Sequence, residues 1–233
     1  MKHTAIPGGG LRLMKSAISG IICVIVAGCA QSTGTPVAKP QVDPSLKAMY
    51  GAVQEGDKSI PAVDVFKMDP RNVRQLVNYR TRYPAGTVVV DPHARFLYLV
   101  MENDKAMRYG IGVAKAGPEF EGEADIVRKG RWPGWVPTPD MIKREPERYG
   151  PLSEGMPGGI SNPLGARALY LYKGGQDTLY RIHGTNEAWS IGKSVSSGCI
   201  RLLNQDIIDL HSRVPKGSRV VVLGELESGK GEF

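Results

Sequence analysis

The sequence is short of the residues that would announce most of the obvious functional classes. Three cysteines in 233 residues are too few for a disulfide scaffold. No apolar run approaches the roughly 20 residues of a membrane span. The 29 glycines have no period of three, which excludes collagen, and no internal repeat is present. Charge of one sign is also scarce. The net charge is +7, and no block of like charges stands out. Nucleic-acid binding, which calls for a basic stripe with interleaved aromatics, is not expected. What remains is ordinary globular composition, 41% hydrophobic and 23% charged, enough for one or two domains with a real core. Glycine and proline, 29 and 17 residues, suggest a turn-rich, β-dominated chain.

The amino terminus reads as an address. Lys2, Arg12 and Lys15 precede the apolar run SAISGIICVIVAG at 16–28, with no acid before Cys29. A basic start, an apolar middle and a small-residue exit are the layout of a secretory signal, and Met14 is an alternative start. Without residues 1–29 the chain holds 27 basic and 23 acidic residues. The exit Val26-Ala27-Gly28-Cys29 resembles a bacterial lipobox, in which the cysteine is lipidated and becomes the first residue. An ordinary signal peptide with an incidental cysteine is the alternative. Two or more acyl chains, at about 0.8 kcal/mol per buried CH₂, hold a protein stably on a membrane. Ala30, not an aspartate, follows, which under the enterobacterial sorting pattern points to the outer membrane.

These features divide the chain as follows. Residues 1–28 are a signal peptide ending in the lipobox, and 29–57 a flexible lipid-anchored linker, rich at first in Ser, Thr, Gly and Pro. Residues 58–85 are an N-terminal extension packed on the main domain, with one or two helical turns expected around Val73, Leu76 and Val77. Residues 86–224 are the main domain and 225–233 a tail. In the main domain, period-two and short apolar runs predict strands at Thr87–Val90, Phe96–Met101, Lys105–Val113, Ala168–Tyr172, Leu179–Ile182 and Arg219–Leu223. Asn204–Arg213 is the best helix, with Asn204 as N-cap and Ile207, Ile208 and Leu210 on a buried face. The architecture is mainly β, a sandwich or partly closed barrel with that one clear helix. Trp132–Pro163 lacks periodicity, and a connection that long usually serves as a lid or binding loop.

Chemistry concentrates near residue 199. Cys23 leaves with the signal and Cys29 becomes a thioether, so Cys199 is the one thiol of the exported body. A buried structural cysteine is the plain alternative. The surrounding Ser196-Ser197-Gly198-Cys199, however, is small and polar, as in an exposed turn. A glycine beside a nucleophile lets substrate approach the backbone, and the N–H groups of Gly198 and Cys199 are candidates for an oxyanion hole. A thiol also needs a base or a positive neighbour. His3 is removed, and His93 and His211 are most simply solvated or edge residues. His183 ends a predicted strand before Gly184-Thr185, well placed to face a cleft.

Arg181-Ile182-His183-Gly184-Thr185, Ser190-Ile191-Gly192 and Ser196-Ser197-Gly198-Cys199-Ile200-Arg201-Leu202 together resemble the L,D-transpeptidase (YkuD-type) catalytic domain. The 16 positions from His183 to Cys199 fit as well. So do Asn162-Pro163-Leu164-Gly165 and Ala168-Leu169-Tyr170-Leu171 upstream, and the resemblance runs from about Gly86 to Leu223. It implies a β-sandwich of mixed sheets, a Cys199 nucleophile, a His183 base and a Gly184 backbone carbonyl that orients the histidine. It also implies an Arg201 that meets substrate carboxylate, and Ser197 is a further candidate substrate contact. Separately, the length of the Trp132–Pro163 loop marks Trp135 as a candidate wall of the substrate cleft. Many members carry histidine where this chain has Ser197, which excludes any role for that histidine here.

The activity implied is peptidoglycan L,D-transpeptidation at the cell envelope, on the periplasmic side. Cys199 forms a thioester with a stem tetrapeptide, the terminal D-alanine leaves, and an amine takes the acyl group. The acceptor is a second stem peptide, giving a 3-3 crosslink, or an envelope protein. Neither metal nor cofactor is required, and carbapenems are expected to acylate the thiol. Arg167 and Arg181 are weaker substrate candidates, since an ion pair explains each. Two rivals remain: an L,D-carboxypeptidase that uses the same site with water as acceptor, and an inactive wall-binding lipoprotein, against which the intact His183, Gly198, Cys199 and Arg201 argue. A papain-like protease would place its cysteine before its histidine, the reverse of this order.

Overall fold

A computed structural model describes residues 43–115, 120–196 and 198–231. Cys29, with the signal and lipobox expected around it, and Ser197 lie outside the described residues. Among these, no helix is long and apolar enough to cross a membrane.

The main sheet is built from β3 (Gln75–Asn78), β4 (Val88–Asp91), β5 (Phe96–Met101), β6 (Lys105–Gly110), β8 (Gly122–Arg131), β9 (Arg167–Lys173), β10 (Gln176–His183), β12 (Ile200–Arg201) and β13 (Arg219–Val222). Their spatial order is β12-β10-β9-β8-β13-β4-β5-β6-β3. Most pairs are antiparallel, but β10 with β12 and β13 with β4 are parallel. The fold is therefore mainly β with mixed sheets. Past β6 the chain reaches the opposite edge of the sheet: Gly112 and Arg201 exchange both backbone hydrogen bonds at 2.9 Å. The sheet thus curls almost into a closed barrel. A short parallel pair, β7 (Val113–Ala114) with β11 (Ser194–Ser196), continues that seam.

The central strands read as unbroken apolar runs because both of their faces are buried. Val88, Val90, Leu97, Leu99, Val220 and Val222 face one core, with Leu169 and Ile182 from farther along the sheet. Their alternates Val89, Tyr98, Val100 and Val221 face a second. Helix α4 (Asn204–Arg213) seals the first core with Ile207 and Leu210. Its span is the one expected, but its N-cap is Leu203 and not Asn204. Asn204 enters the first turn and bonds elsewhere.

Two expectations give way before tertiary contacts. Val73, Leu76 and Val77 do not lie on a helix. A single 3-10 turn at Pro70–Asn72 leads into β3, which pairs antiparallel with β6. Leu76 is 55% exposed, since an edge strand has little to cover its outer face. The tether expected through residue 57 ends sooner, because Pro44–Met49 form α1 and Val53–Glu55 pairs with Lys58–Ile60 as the β1–β2 hairpin. Tyr50, Ile191 and Leu203 make a small core that fastens this segment to the chain ahead of α4. The long Trp132–Pro163 stretch holds two short helices, α2 (Pro139–Arg144) and α3 (Pro146–Tyr149), each opening on a proline. Strand β8 gave no clear pattern because, of its ten residues, Ala124 and Ile126 alone are buried.

One polar cluster joins the N-terminal segment to α4. The Tyr50 hydroxyl donates to Asp206 Oδ2 at 3.3 Å and accepts from the Arg74 N–H at 2.7 Å. Arg74 Nη1 stands 3.6 Å from Asp206 Oδ1, which has no hydrogen-bond partner, and 3.3 Å from Asp209. Burial pushes the Asp206 carboxyl up to about 7, against the pull of Arg74. An unfolded aspartate releases its proton near pH 4. Stability from this group is therefore full below about pH 4 and is lost as the pH rises to 7. Asp206→Asn, which mimics the protonated form, should raise Tm over wild type at pH 8 and match it near pH 4. Several degrees are expected at pH 8, since about 1 kcal/mol moves Tm by roughly 2–4 °C at this size. Thermal melts at the two pH values check this.

Candidate active site

Parallel pairing of β10 with β12 closes the 16-residue gap between the two candidate catalytic residues. Ile182 stands opposite Ile200 and His183 opposite Arg201, so Cys199, immediately before β12, stands level with Arg181 on the strand that ends at His183. The two strands carry Ile182 and Ile200 into the core, both fully buried. That burial sets the register, and a slip of one residue would turn the site to the wrong face.

His183 is 5% exposed. Its Nδ1 lies 2.5 Å from the Gly184 carbonyl, which can only accept, so Nδ1 carries the proton and Nε2 is the basic nitrogen. Burial, with the Arg201 and Arg181 charges helping, lowers its pKa to about 4; the Gly184 bond pulls the other way and loses. The ring is neutral at pH 7. His211, expected at a solvated edge, instead has its Nε2 buried without a partner, and burial lowers its pKa to about 4 too.

Cys199 is half-buried, its Sγ 4.0 Å from the Leu179 carbonyl. Leu179 lies at an irregularity in β10 with φ +59°, a conformation rare for a bulky residue. Before Cys199 the chain turns at Gly198, whose φ of +146° excludes most side chains. The Gly198 N–H donates to Ser196 Oγ at 3.3 Å, and that hydroxyl donates to the Cys199 carbonyl at 2.8 Å. Of the two N–H groups expected to hold an oxyanion, the Gly198 one is therefore turned to Ser196 here.

Arg201 lines a cleft of about 580 Å³ with Lys115, Arg144, Arg148, Tyr149 and Glu187. Its Nη1 pairs with Glu187 Oε2 at 2.7 Å. Glu187 went unnoticed in the sequence, where an isolated acid in a loop carries no signal. The long loop reaches the cleft through α2 and α3. Trp135 itself is half-buried behind them, its ring edge-on to Tyr149 with centroids 6.0 Å apart. Arg167 and Arg181 are held by ion pairs: Arg167 with Glu55 at 2.5 Å, Arg181 with Asp177 at 2.6 Å. Among the described residues no cluster of three histidines, cysteines or acids could hold a metal.

The L,D-transpeptidase catalytic domain family, YkuD, matches residues 85–222. Among curated relatives, the chain is 36% identical over 142 residues to the probable L,D-transpeptidase ErfK/SrfK of Escherichia coli K12, covering 60% of this chain and 44% of that protein. It is 34% identical over 172 residues to the probable L,D-transpeptidase YbiS of the same strain, covering 71% and 54%. The chain thus spans about half the length of these relatives. A solved structure from Brucella melitensis, described as a probable carnitine operon oxidoreductase caia, is 51% identical and covers 69% of this chain and 99% of its own, with a TM-score of 0.47. With the family match covering more than half of the chain, and with the histidine of its motif on β10 and the cysteine directly before the paired β12, this chain belongs to the L,D-transpeptidase (YkuD) catalytic domain family.

Proposed function

We propose that the chain is a peptidoglycan L,D-transpeptidase working through a Cys199 thioester. The observation that carries this reading is the buried, neutral His183, held by the Gly184 carbonyl beside the strand that presents Cys199. In the reaction, His183 Nε2 takes the thiol proton as sulfur attacks the carbonyl of the third stem residue. The resulting imidazolium gives that proton to the departing D-alanine amine, and a thioester remains. An acceptor amine then attacks the thioester, loses a proton to His183, and releases the thiol. The cleaved amide is replaced by another amide, so no outside energy source enters. Neutrality at pH 7 makes His183 ready to accept, and burial makes its imidazolium quick to hand the proton on.

Arg201 meets a substrate carboxylate in this scheme. Its pairing with Glu187 means that the substrate competes with Glu187 for the guanidinium. Incubating the purified soluble protein with disaccharide-tetrapeptide, followed by mass spectrometry, tests the whole reading. Crosslinked dimers with loss of D-alanine are expected. Tripeptide alone would make water the acceptor, and unchanged tetrapeptide would leave a wall-binding role. An envelope protein as acceptor would register as a covalent protein–stem adduct when such a protein is supplied.

Trp135 serves the cleft through Tyr149 in this proposal. Loss of an aromatic pair is worth about 0.5–1.5 kcal/mol. Trp135→Ala should therefore raise KM for tetrapeptide roughly 2- to 10-fold with kcat little changed. A fall in Tm without a change in KM would reduce Trp135 to a core residue of the loop.

The envelope location and the lipid anchor at Cys29 belong to the same proposal. They rest on the apolar run at 16–28 and the small residues before Cys29. Full-length protein expressed in bacteria should label with palmitate and sediment with membranes. Cys29→Ser should lose both properties. Labelling that survives the substitution would remove the anchor from the scheme.

A further inference from the structure

Asn204 opens α4 and yet does nothing for it. An asparagine one position earlier would cap the helix, but that position is Leu203, which makes no side-chain cap bond. Inside a helix asparagine is a poor former. The side chain is 5% exposed, and both ends of its carboxamide bond outside the helix. Oδ1 accepts from the Ala166 N–H at 2.8 Å, and Nδ2 donates to the Thr185 carbonyl at 2.9 Å.

Of those two partners, Thr185 directly follows Gly184, whose carbonyl holds His183, and Ala166 packs against Gly184 from a separate segment. Gly184 lies between His183 and Thr185, and its carbonyl accepts from His183 Nδ1. The Gly184 N–H donates to the Arg167 carbonyl at 3.0 Å, next to Ala166. Asn204 Oδ1 fills the space that a side chain at position 184 would need: a Cβ built there would come within 2.3 Å of it. Gly184 is therefore a glycine because Asn204 occupies its side-chain position. The carboxamide is locked at both ends, so through the Thr185 carbonyl it holds the peptide after Gly184–Thr185, while the Arg167 carbonyl holds the peptide before it through the Gly184 N–H.

We propose that Asn204 is a positioning residue for catalysis: by holding the Thr185 and Ala166 backbone it keeps the Gly184 carbonyl aimed at His183 Nδ1, and so keeps Nε2 as the base for Cys199. This rests on the reading of His183 as that base. The residue touches neither thiol nor substrate.

The test is a double-mutant cycle read by alkylation of Cys199 with iodoacetamide, across pH 4–10, on full-chain protein. Asn204→Ala should slow alkylation at pH 7 by about 10-fold to 10²-fold, as small misplacements of catalytic groups do. In a His183→Ala background the same substitution should change the rate less than about 2-fold, since its effect passes through the ring. Asn204→Asp guards against simple misfolding. It is nearly isosteric, an acid is favourable in a first helical turn, and it retains the acceptor while losing the donor to Thr185. It too should slow alkylation and alter the pH profile. An Asn204 effect of equal size with and without His183 would overturn the positioning role and leave His183 in place. A wild-type pH profile in Asn204→Asp would do the same. An unchanged rate in His183→Ala alone would remove both the base and this proposal.

Discussion

Replacing Cys199 by serine should abolish turnover of stem tetrapeptide, with a fall on the order of 10⁴-fold or more. A serine hydroxyl is far harder to deprotonate than a thiol, and a neutral histidine without a carboxylate partner is a weak base for that task. His183 is oriented by a backbone carbonyl, which supplies direction but no negative charge to stabilise an imidazolium. The Arg201 and Arg181 charges act against the imidazolium as well. Sulfur tolerates this arrangement because its proton is held much less tightly. The same contrast should govern β-lactams. A carbapenem should add one drug mass to the intact wild-type protein, on the peptide that contains Cys199, and none to Cys199→Ser. Full activity in Cys199→Ser would end the thioester mechanism. An adduct mapped to another residue would leave carbapenem reactivity unconnected to the site.

His183→Ala should slow both tetrapeptide turnover and carbapenem adduct formation by roughly 10²- to 10⁴-fold, the range for loss of a positioned general base. Its pH dependence gives a sharper test. A histidine at its ordinary pKa would lose its basic form as the pH falls through about 6.5. Burial moves that point in His183 to about 4. The acid limb of kcat/KM assigned to this ring should therefore lie near pH 4, with the base still present at pH 5. Arg201→Ala removes one of the positive charges that disfavour the imidazolium, so it should move the limb upward while impairing substrate binding. A limb near 6.5 in the wild-type protein would mean that the ring is solvated in the working enzyme.

Much of the fold was legible because local pattern and tertiary demand agreed. Phe96–Met101 reads as a strand from its composition and is one. The α4 span follows from its apolar spacing, since Ile207 and Leu210 must be buried wherever that helix sits. The left-handed turn at Asn103 and Asp104 uses residues that tolerate it. β3 and β8 were not legible, for a related reason in each. Their outer faces are open, so the sequence there carries little alternation, and pairing with neighbours supplied by distant parts of the chain decides their conformation. Val73, Leu76 and Val77 have helical spacing, but β6 offered a free edge nearby, and a strand on that edge satisfies the backbone.

The same division runs through the site. The candidates for the chemistry could be picked out of the sequence without coordinates. A cysteine in a small polar turn, and a histidine at a strand end before glycine, belong to a pattern too particular to need coordinates. Tertiary structure alone decided how they are held. No local signal places the Arg201 guanidinium on Glu187, buries His183 deeply enough to lower its pKa, or sets Asn204 against Gly184. Each of these depends on segments far apart in sequence meeting at the end of the β10–β12 pair. Side-chain type is written into the chain residue by residue, but burial, charge neighbours and hydrogen-bond partners are properties of the assembled fold.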